Sequence, residues 1–295
     1  MRGSGIGKDE LLRPPVRGIG PGRIVGGTVR TIILVVAGIL FLVPFYLLVR
    51  NGLSTEDDIT AKTWTFFPHA LQWSNFKQVF DDPEVPLATS LVNSVVVSVL
   101  QTAGQLLFCS LAGYGLARIP YRHANKVFYA IVATLMIPAA VTFLPTFVVV
   151  SSLGWIDDLR GLIIPGLFSG FTAFLFRQYF LDFPKELEEA GRIDGLGYFG
   201  TFARIVVPNS SGFFAAIGVI DFIGAWNSFL WPMIIAQDSS SYTVQVAISA
   251  FNLSQHPAIH ELFLAGAISI VPLLLVFVFL QRFLVRGIAE TGIKG

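Results

Sequence analysis

Apolar runs at residues 31–49, 88–117, 127–150, 161–181, 209–236 and 262–285 alternate with polar and charged stretches along the chain. A helix needs roughly 20 apolar residues to cross about 30 Å of hydrocarbon. The pattern therefore predicts an all-α polytopic membrane protein with six transmembrane helices. The second and fifth runs are long and carry Asn93, Gln101, Gln105, Asp221 and Asn227, which predicts faces turned to protein or water rather than lipid. Together the runs define a transmembrane domain over 31–285. Residues 1–30 are rich in Gly, Pro and Arg without apolar periodicity, and read as a disordered basic arm. Residues 286–295 form a tail.

Composition sharpens this picture. The 295 residues are 54% hydrophobic and 13% charged, against roughly 25% charged in soluble domains. The net charge is +1, with charges in separated clusters and no basic stripe interleaved with aromatics, so nucleic acid is excluded as a partner. Cys109, the one cysteine, rules out an intrachain disulfide. Its setting, QLLFCSLAG, reads as a small buried apolar position. The first apolar run is too long for a signal-peptide core.

Lys and Arg are retained in cytoplasmic loops. With the N-terminus inside, the cytoplasmic side collects every basic residue of the 20 except Arg50, Lys62, Lys77 and Arg160. Both termini are expected to be cytoplasmic, with external loops at 50–87 and 237–261. Trp64, Phe66, Phe67 and Trp73 in the first of these read as interfacial aromatics or as a partner site.

One cytoplasmic stretch, KELEEAGRIDG at 185–195, concentrates charge in an otherwise apolar chain. Pro184 suits a helix first turn, Glu186, Glu188 and Glu189 oppose the macrodipole, and Gly195 supplies a stop. A helix of about three turns outside the bilayer follows. A second short helix is predicted from Tyr198, Phe199, Phe202, Ile205 and Val206, ending at Pro208. Its aromatic face would hold the loop against the membrane domain, and the small Ala190 and Gly191 would let another surface approach the first helix closely. The residues alone leave two readings, a docking helix or a solvated connector.

The run FPKELEEAGRIDGLGYFGTFARIVVP resembles the cytoplasmic coupling loop of binding-protein-dependent ABC importer permeases, with its Glu-Ala-Ala triad, three residues, a glycine and a later apolar pair with proline. Glu189, Ala190 and Gly191 match the triad, Gly195 the glycine, and Val206, Val207 and Pro208 the closing run. Gly191 replaces the second alanine and Gly212 stands where a second proline is frequent. NSVVVSVLQTAGQLLFCSLAGYGLAR, AWNSFLWP at 225–232 and the tail RGIAETGIKG are similar to the carbohydrate-uptake branch, in particular to the six-span permease subunit of the maltose-transporter type.

That resemblance implies the type I ABC importer permease fold and a bacterial or archaeal plasma (inner) membrane. The loop at 182–208 would couple to a cytoplasmic ATPase dimer through Glu186, Glu189, Ala190, Gly191, Asp194 and Gly195. It further implies a second, different permease subunit, an extracellular sugar-binding protein into which loop 237–261 reaches, and a di- or oligosaccharide substrate. ATP and Mg would sit on the ATPase, with no cofactor on this chain.

The remaining chemistry is sparse. There is no G-x-x-x-x-G-K-[ST] phosphate loop and no H-E-x-x-H. His256 and His260 are spaced i, i+4 but have Pro257 between them and no third ligand, and no nucleophile elbow or triad pattern occurs. No catalytic or metal site is expected. Asp221 falls about 12 residues into the fifth run, roughly 18 Å along a helix and near the midplane. It reads either as an acceptor for sugar hydroxyls or as an acid bonded to a neighbouring helix. Trp226, Asn227 and Trp231 could stack on and bond a sugar or pack a helix interface. A different function class, a membrane signalling or assembly subunit that docks an ATPase without transporting, would use the same cytoplasmic helix.

Overall fold

The computed structural model describes residues 21–253 and 258–291, with side chains over 29–252 and 258–282. The helix α1 spans Pro21–Gly52. It runs through the C-terminal third of the stretch read as a disordered arm, since propagating an existing helix costs far less than nucleating one and Pro21 occupies a first-turn position. Residues 1–20 lie outside the described part. Residues up to Leu47 form one compact unit and those from Leu48 another.

Past the end of α1, the second unit continues with two short helices, α2 (Glu56–Thr60) and α3 (Ser74–Asp81). The second span, α4, is continuous over Leu87–Arg118. The third is not one helix. It comprises α5 (Ala124–Thr134) and α6 (Ala139–Ser152), which meet at 96°. The expected continuous span over 127–150 fails at Ile137–Pro138. Proline has no N–H and forces the residue before it out of the helical region, and the last turn of α5 closes with tight i→i−3 bonds from Leu135, Met136 and Ile137.

The fourth span is α7 (Leu159–Ile163), a 3-10 turn over Ile164–Gly166, and α8 (Gly170–Asp182). Pro165 breaks the ladder, and two carbonyls freed there find donors on α4. Gln101 Nε2 reaches Leu162 O and Gln105 Nε2 reaches Gly166 O, each at 2.8 Å. The polar residues of the second run thus face protein. Ser169 caps α8 by accepting from Thr172 N, and Cys109 is fully buried beside Ser169. Glycines bring α4 close to the fourth span. A Cβ on Gly104 would stand 2.4 Å from Leu167 Cδ2.

After α9 (Lys185–Ile193) come α10 (Tyr198–Thr201), a π-helical turn over Phe202–Val206, and α11 (Val207–Asn209). The path stops at Asn209, one residue past the expected Pro208, with a turn at Ser210. The π turn already re-spaces the carbonyls that a proline would disturb, and Pro208 sits in the first turn of α11, where its missing N–H costs little. The fifth span is α12 (Ser211–Trp226) followed by α13 (Leu230–Ile235).

Helix α14 (Val244–Leu253) lies within the stretch expected to be an external loop, yet Val244, Ala247 and Phe251 pack into a core with Phe222, Trp226, Leu264 and Ala265. The sixth span, α15 (Ile259–Thr291), is longer than its apolar run. No strand occurs among the described residues.

Candidate coupling surface and pathway residues

The nine residues of α9 are charged on one side and tied down on the other. Phe183 and Pro184 are extended, which starts the helix cleanly at Lys185. At its end Gly195 has φ +84, Gly195 N donates to Arg192 O at 3.0 Å, and Leu196 N donates to Gly191 O at 2.9 Å. This paired stop requires a left-handed residue after the cap, which glycine supplies without strain.

Glu186, Glu189, Ala190, Arg192, Ile193, Asp194 and Gly195 are exposed. Ile193 is 87% exposed and Phe199, beyond the stop, 72%. Neither side chain belongs to the core of the described residues. The apolar pattern assigned no role to Ile193, and Phe199, expected on the aromatic face that holds the loop against the membrane domain, instead points away from it.

Two residues of α9, Glu188 and Gly191, face inward. Gly191 is buried, and a Cβ there would meet Ile205 Cδ1 at 2.3 Å. Its smallness serves contact with the π turn of its own chain, a correction to the expectation that another surface approaches at that point; Ala190 alone remains open for that. Phe202 and Val206 do hold the loop to the membrane domain, packed with Tyr114, Phe180 and Phe183.

Glu188, absent from the expected site, is 4% exposed. Its Oε1 lies 3.1 Å from Arg118 Nε at the end of α4, and Oε2 lies 3.9 Å from Arg192. Burial pushes the Glu188 carboxyl above the usual glutamate range against the opposing pull of Arg118, Arg192 and Lys185. Arg118 also donates through NH2 to Phe183 O. Ala117, Arg118, Lys185, Glu188, Glu189 and Arg192 line a cleft of about 240 Å³. The only sequence signal for the pair was a basic residue ending one span and the middle glutamate of KELEE, and no spacing rule joins positions 70 apart.

The pathway candidates separate. Trp226 is 1% exposed and stacks on Phe222 with ring centroids 5.9 Å apart. It is core, which corrects its assignment to a sugar surface. Its neighbour Asn227 is exposed, with Oδ1 accepting from Gln245 Nε2 at 3.4 Å. Trp231 donates from Nε1 to Gly161 O at 3.0 Å. Asp221 turns toward α8 and accepts from Thr172 Oγ1 at 3.0 Å, while its second oxygen is enclosed without a hydrogen-bond partner. In this conformation it is the helix tie of the two readings.

At the other end of the spans the first part of loop 237–261 is pinned. Asp157, at φ +55, accepts on Oδ1 from Gln237 N and Asp238 N at 2.6 and 2.7 Å. Asn93 Nδ2 donates to Ser240 O and Tyr242 O. Residues 254–257, including His256, lie outside the described part. His260 contacts Glu56 Oε1 at 2.6 Å and Gln78 Oε1 at 3.1 Å. Trp64, Phe66, Phe67 and Trp73 are all exposed.

Helix α9 and nearly all of the last four spans fall inside residues 109–290, which match the family model described as binding-protein-dependent transport system inner membrane component. The chain belongs to this family. It is 28% identical over 268 residues to the arabinooligosaccharides transport system permease protein AraQ of Bacillus subtilis (strain 168), covering 90% of this chain and 95% of the relative. It is 32% identical over 266 residues to the sn-glycerol-3-phosphate transport system permease protein UgpE of Yersinia pestis, covering 88% and 95%. A solved chain of a bacterial ABC transporter involved in the import of the acidic polysaccharide alginate superposes with a TM-score of 0.77 at 21% identity, covering 89% of this chain and 98% of that one. The fold is that of an ABC importer permease. As a family member this multi-pass inner-membrane chain is the permease subunit of a binding-protein-dependent importer, a system that includes an ATPase and a substrate-binding protein. An assembly or signalling role without transport is set aside.

Proposed function

We propose that the solute is a neutral di- or oligosaccharide and that this chain forms half of its translocation pathway beside a second, different permease subunit. The observation carrying the proposal is the two-sided α9, outwardly charged with Ile193 standing proud, inwardly fixed to α4 and the π turn. A solvated connector has no need of both features. The partners are an ATPase dimer in the cytoplasm, which binds ATP and Mg, and an extracellular sugar-binding protein. This chain is non-catalytic and carries no cofactor. Glu186, Glu189, Ala190, Asp194 and Gly195 form the face offered to the ATPase, and both termini are cytoplasmic.

In this reading ATP-driven approach of the two ATPase subunits displaces α9, and a stiff helix carries that displacement to the spans so that the cavity turns outward toward the docked binding protein. Neutrality of the solute is supported by the state of the basic groups at the span ends. Arg118 is held by Glu188, Arg160 by Asp158, and Arg177 by Asn125 with its guanidinium 3.8 Å from the centroid of the Phe128 ring. Two of these three are thus paired with carboxylates of the chain itself. The relatives' names cover both an arabinooligosaccharide and an anionic glycerol phosphate, so the choice needs measurement. The test is ATP hydrolysis by the reconstituted complex with its binding protein, across neutral oligosaccharides and glycerol 3-phosphate. Stimulation by a neutral sugar supports the reading, and stimulation by the phosphate ester alone overturns it.

A further inference from the structure

Arg118 is the last residue of α4 and grips the coupling loop at two places. Through NH2 it holds Phe183 O, immediately before the proline that opens α9, and through Nε it faces Glu188 in the first turns of that helix. Both side chains of the pair are at most 6% exposed. On the opposite side α9 leans on Ile205 through Gly191. A charge pair at the surface is worth little because water screens it and the long side chains lose entropy. A buried pair is different: removing one partner strands the other away from water, which disfavours the broken arrangement more than about a hundredfold.

The helix to which Arg118 belongs is the one on which the second unit is built. Its Gly113 touches α8, its Gly104 touches Leu167, its Gln101 and Gln105 mend the broken fourth span, and its Asn93 and Ser94 hold residues 240–244 on the external side. A displacement delivered to Arg118 therefore enters an element with contacts along its whole length. A packed helix moves as a body rather than bending continuously.

We infer that Arg118 and Glu188 are positioning residues that clamp the coupling helix to the second span, so that α9 and α4 move as one rigid body when the ATPase acts. This deepens the coupling reading of α9 and rests on it. The charged and titratable groups around Glu188 are Arg118 and Tyr114 from α4, Lys185, Glu189 and Arg192 from its own helix, and Tyr198 beneath Arg192. Of the basic groups, Arg118 alone is buried with it.

The test measures the distance between spin labels at Leu187→Cys on α9 and Ile119→Cys just past α4, both exposed positions, in the full complex. Cys109 is fully buried, and the partner subunits are used without reactive cysteines. One narrow distance, unchanged between nucleotide-free and ATP-bound states, is expected for the native pair. Arg118→Gln leaves the Glu188 carboxylate uncompensated, so a second, longer population should dominate above the glutamate titration range and vanish as acid neutralises the carboxylate. Arg118→Lys, which keeps the charge, should restore the single distance. A native distance that changes with nucleotide overturns the clamp even if no variant assembles, as does a single distance in Arg118→Gln at every pH. Failure of the coupling reading shows separately, as absence of any crosslink between a cysteine at Arg192 and the ATPase in all nucleotide states.

Discussion

Gly113 of α4 and Phe176 of α8 are in contact so close that a Cβ on the glycine would stand 2.6 Å from Phe176 Cβ and 2.8 Å from Arg177 N. The obstruction is backbone and Cβ, which no rotamer change can clear. Gly113→Ala must push the two spans apart, and a destabilisation of about 1–3 kcal/mol is expected for such overpacking. Gly115, two residues on, has nothing within 4 Å of its Cβ position. Thermal unfolding of the purified complex should show a lower midpoint for Gly113→Ala and none for Gly115→Ala; equal midpoints would contradict the packing described.

Thr172 supplies the one hydrogen bond found for Asp221. Asp221→Asn keeps an acceptor oxygen for that hydroxyl and removes a carboxylate from the membrane interior. Sugar transport per assembled complex should be unchanged, with unchanged sugar preference. Thr172→Val keeps the shape, loses the donor and leaves the carboxylate unpaired, at a cost of about 1–3 kcal/mol. A change in sugar preference in Asp221→Asn at normal assembly would return Asp221 to the pathway.

Ile193 projects from α9 into solvent in the isolated chain. Burying an isoleucine in a partner contributes about 1.5–3 kcal/mol, which corresponds to roughly tenfold to a hundredfold in affinity. Ile193→Ser should weaken capture of the ATPase subunit by that factor while leaving the chain's own unfolding midpoint in place. Titration of ATPase onto nanodisc-embedded permease reads both; equal affinity would show that Ile193 lies outside the contact.

The Glu188 carboxyl is held above its ordinary range by burial. A group that binds its proton more tightly in the folded state adds stability below its unfolded pKa and loses it as pH rises through the folded one. The midpoint of thermal unfolding should therefore fall over the window from the ordinary glutamate range up to the raised value. Glu188→Gln, which cannot titrate, should remove that part of the slope. A variant profile parallel to the native one would assign the slope to other groups.

The spans were legible because lipid imposes length and hydropathy, and the limits of α4 fall within a residue of its apolar run. Helix α9 was legible from Pro184, the early glutamates and Gly195. The corner between α5 and α6 was hidden by hydropathy itself, since Ile137 and Pro138 leave an apolar average unbroken. Trp226 was misassigned because an aromatic beside an asparagine has one appearance in sequence whether it lines a cavity or a core. The Arg118–Glu188 pair was invisible for another reason: it is a tertiary contact, and local pattern carries no record of which charges meet.

Gly191 departs from the alanine usual at its position, yet the departure leaves no hole. The volume a methyl group would fill there is occupied by the terminal carbon of Ile205, arriving from the π turn. A mutational walk through this pair is thus constrained jointly: Gly191→Ala is compatible once Ile205 rotates away or shortens to valine, and Ile205→Val alone opens a gap that an alanine at 191 would close. The two positions share one volume written in two letters.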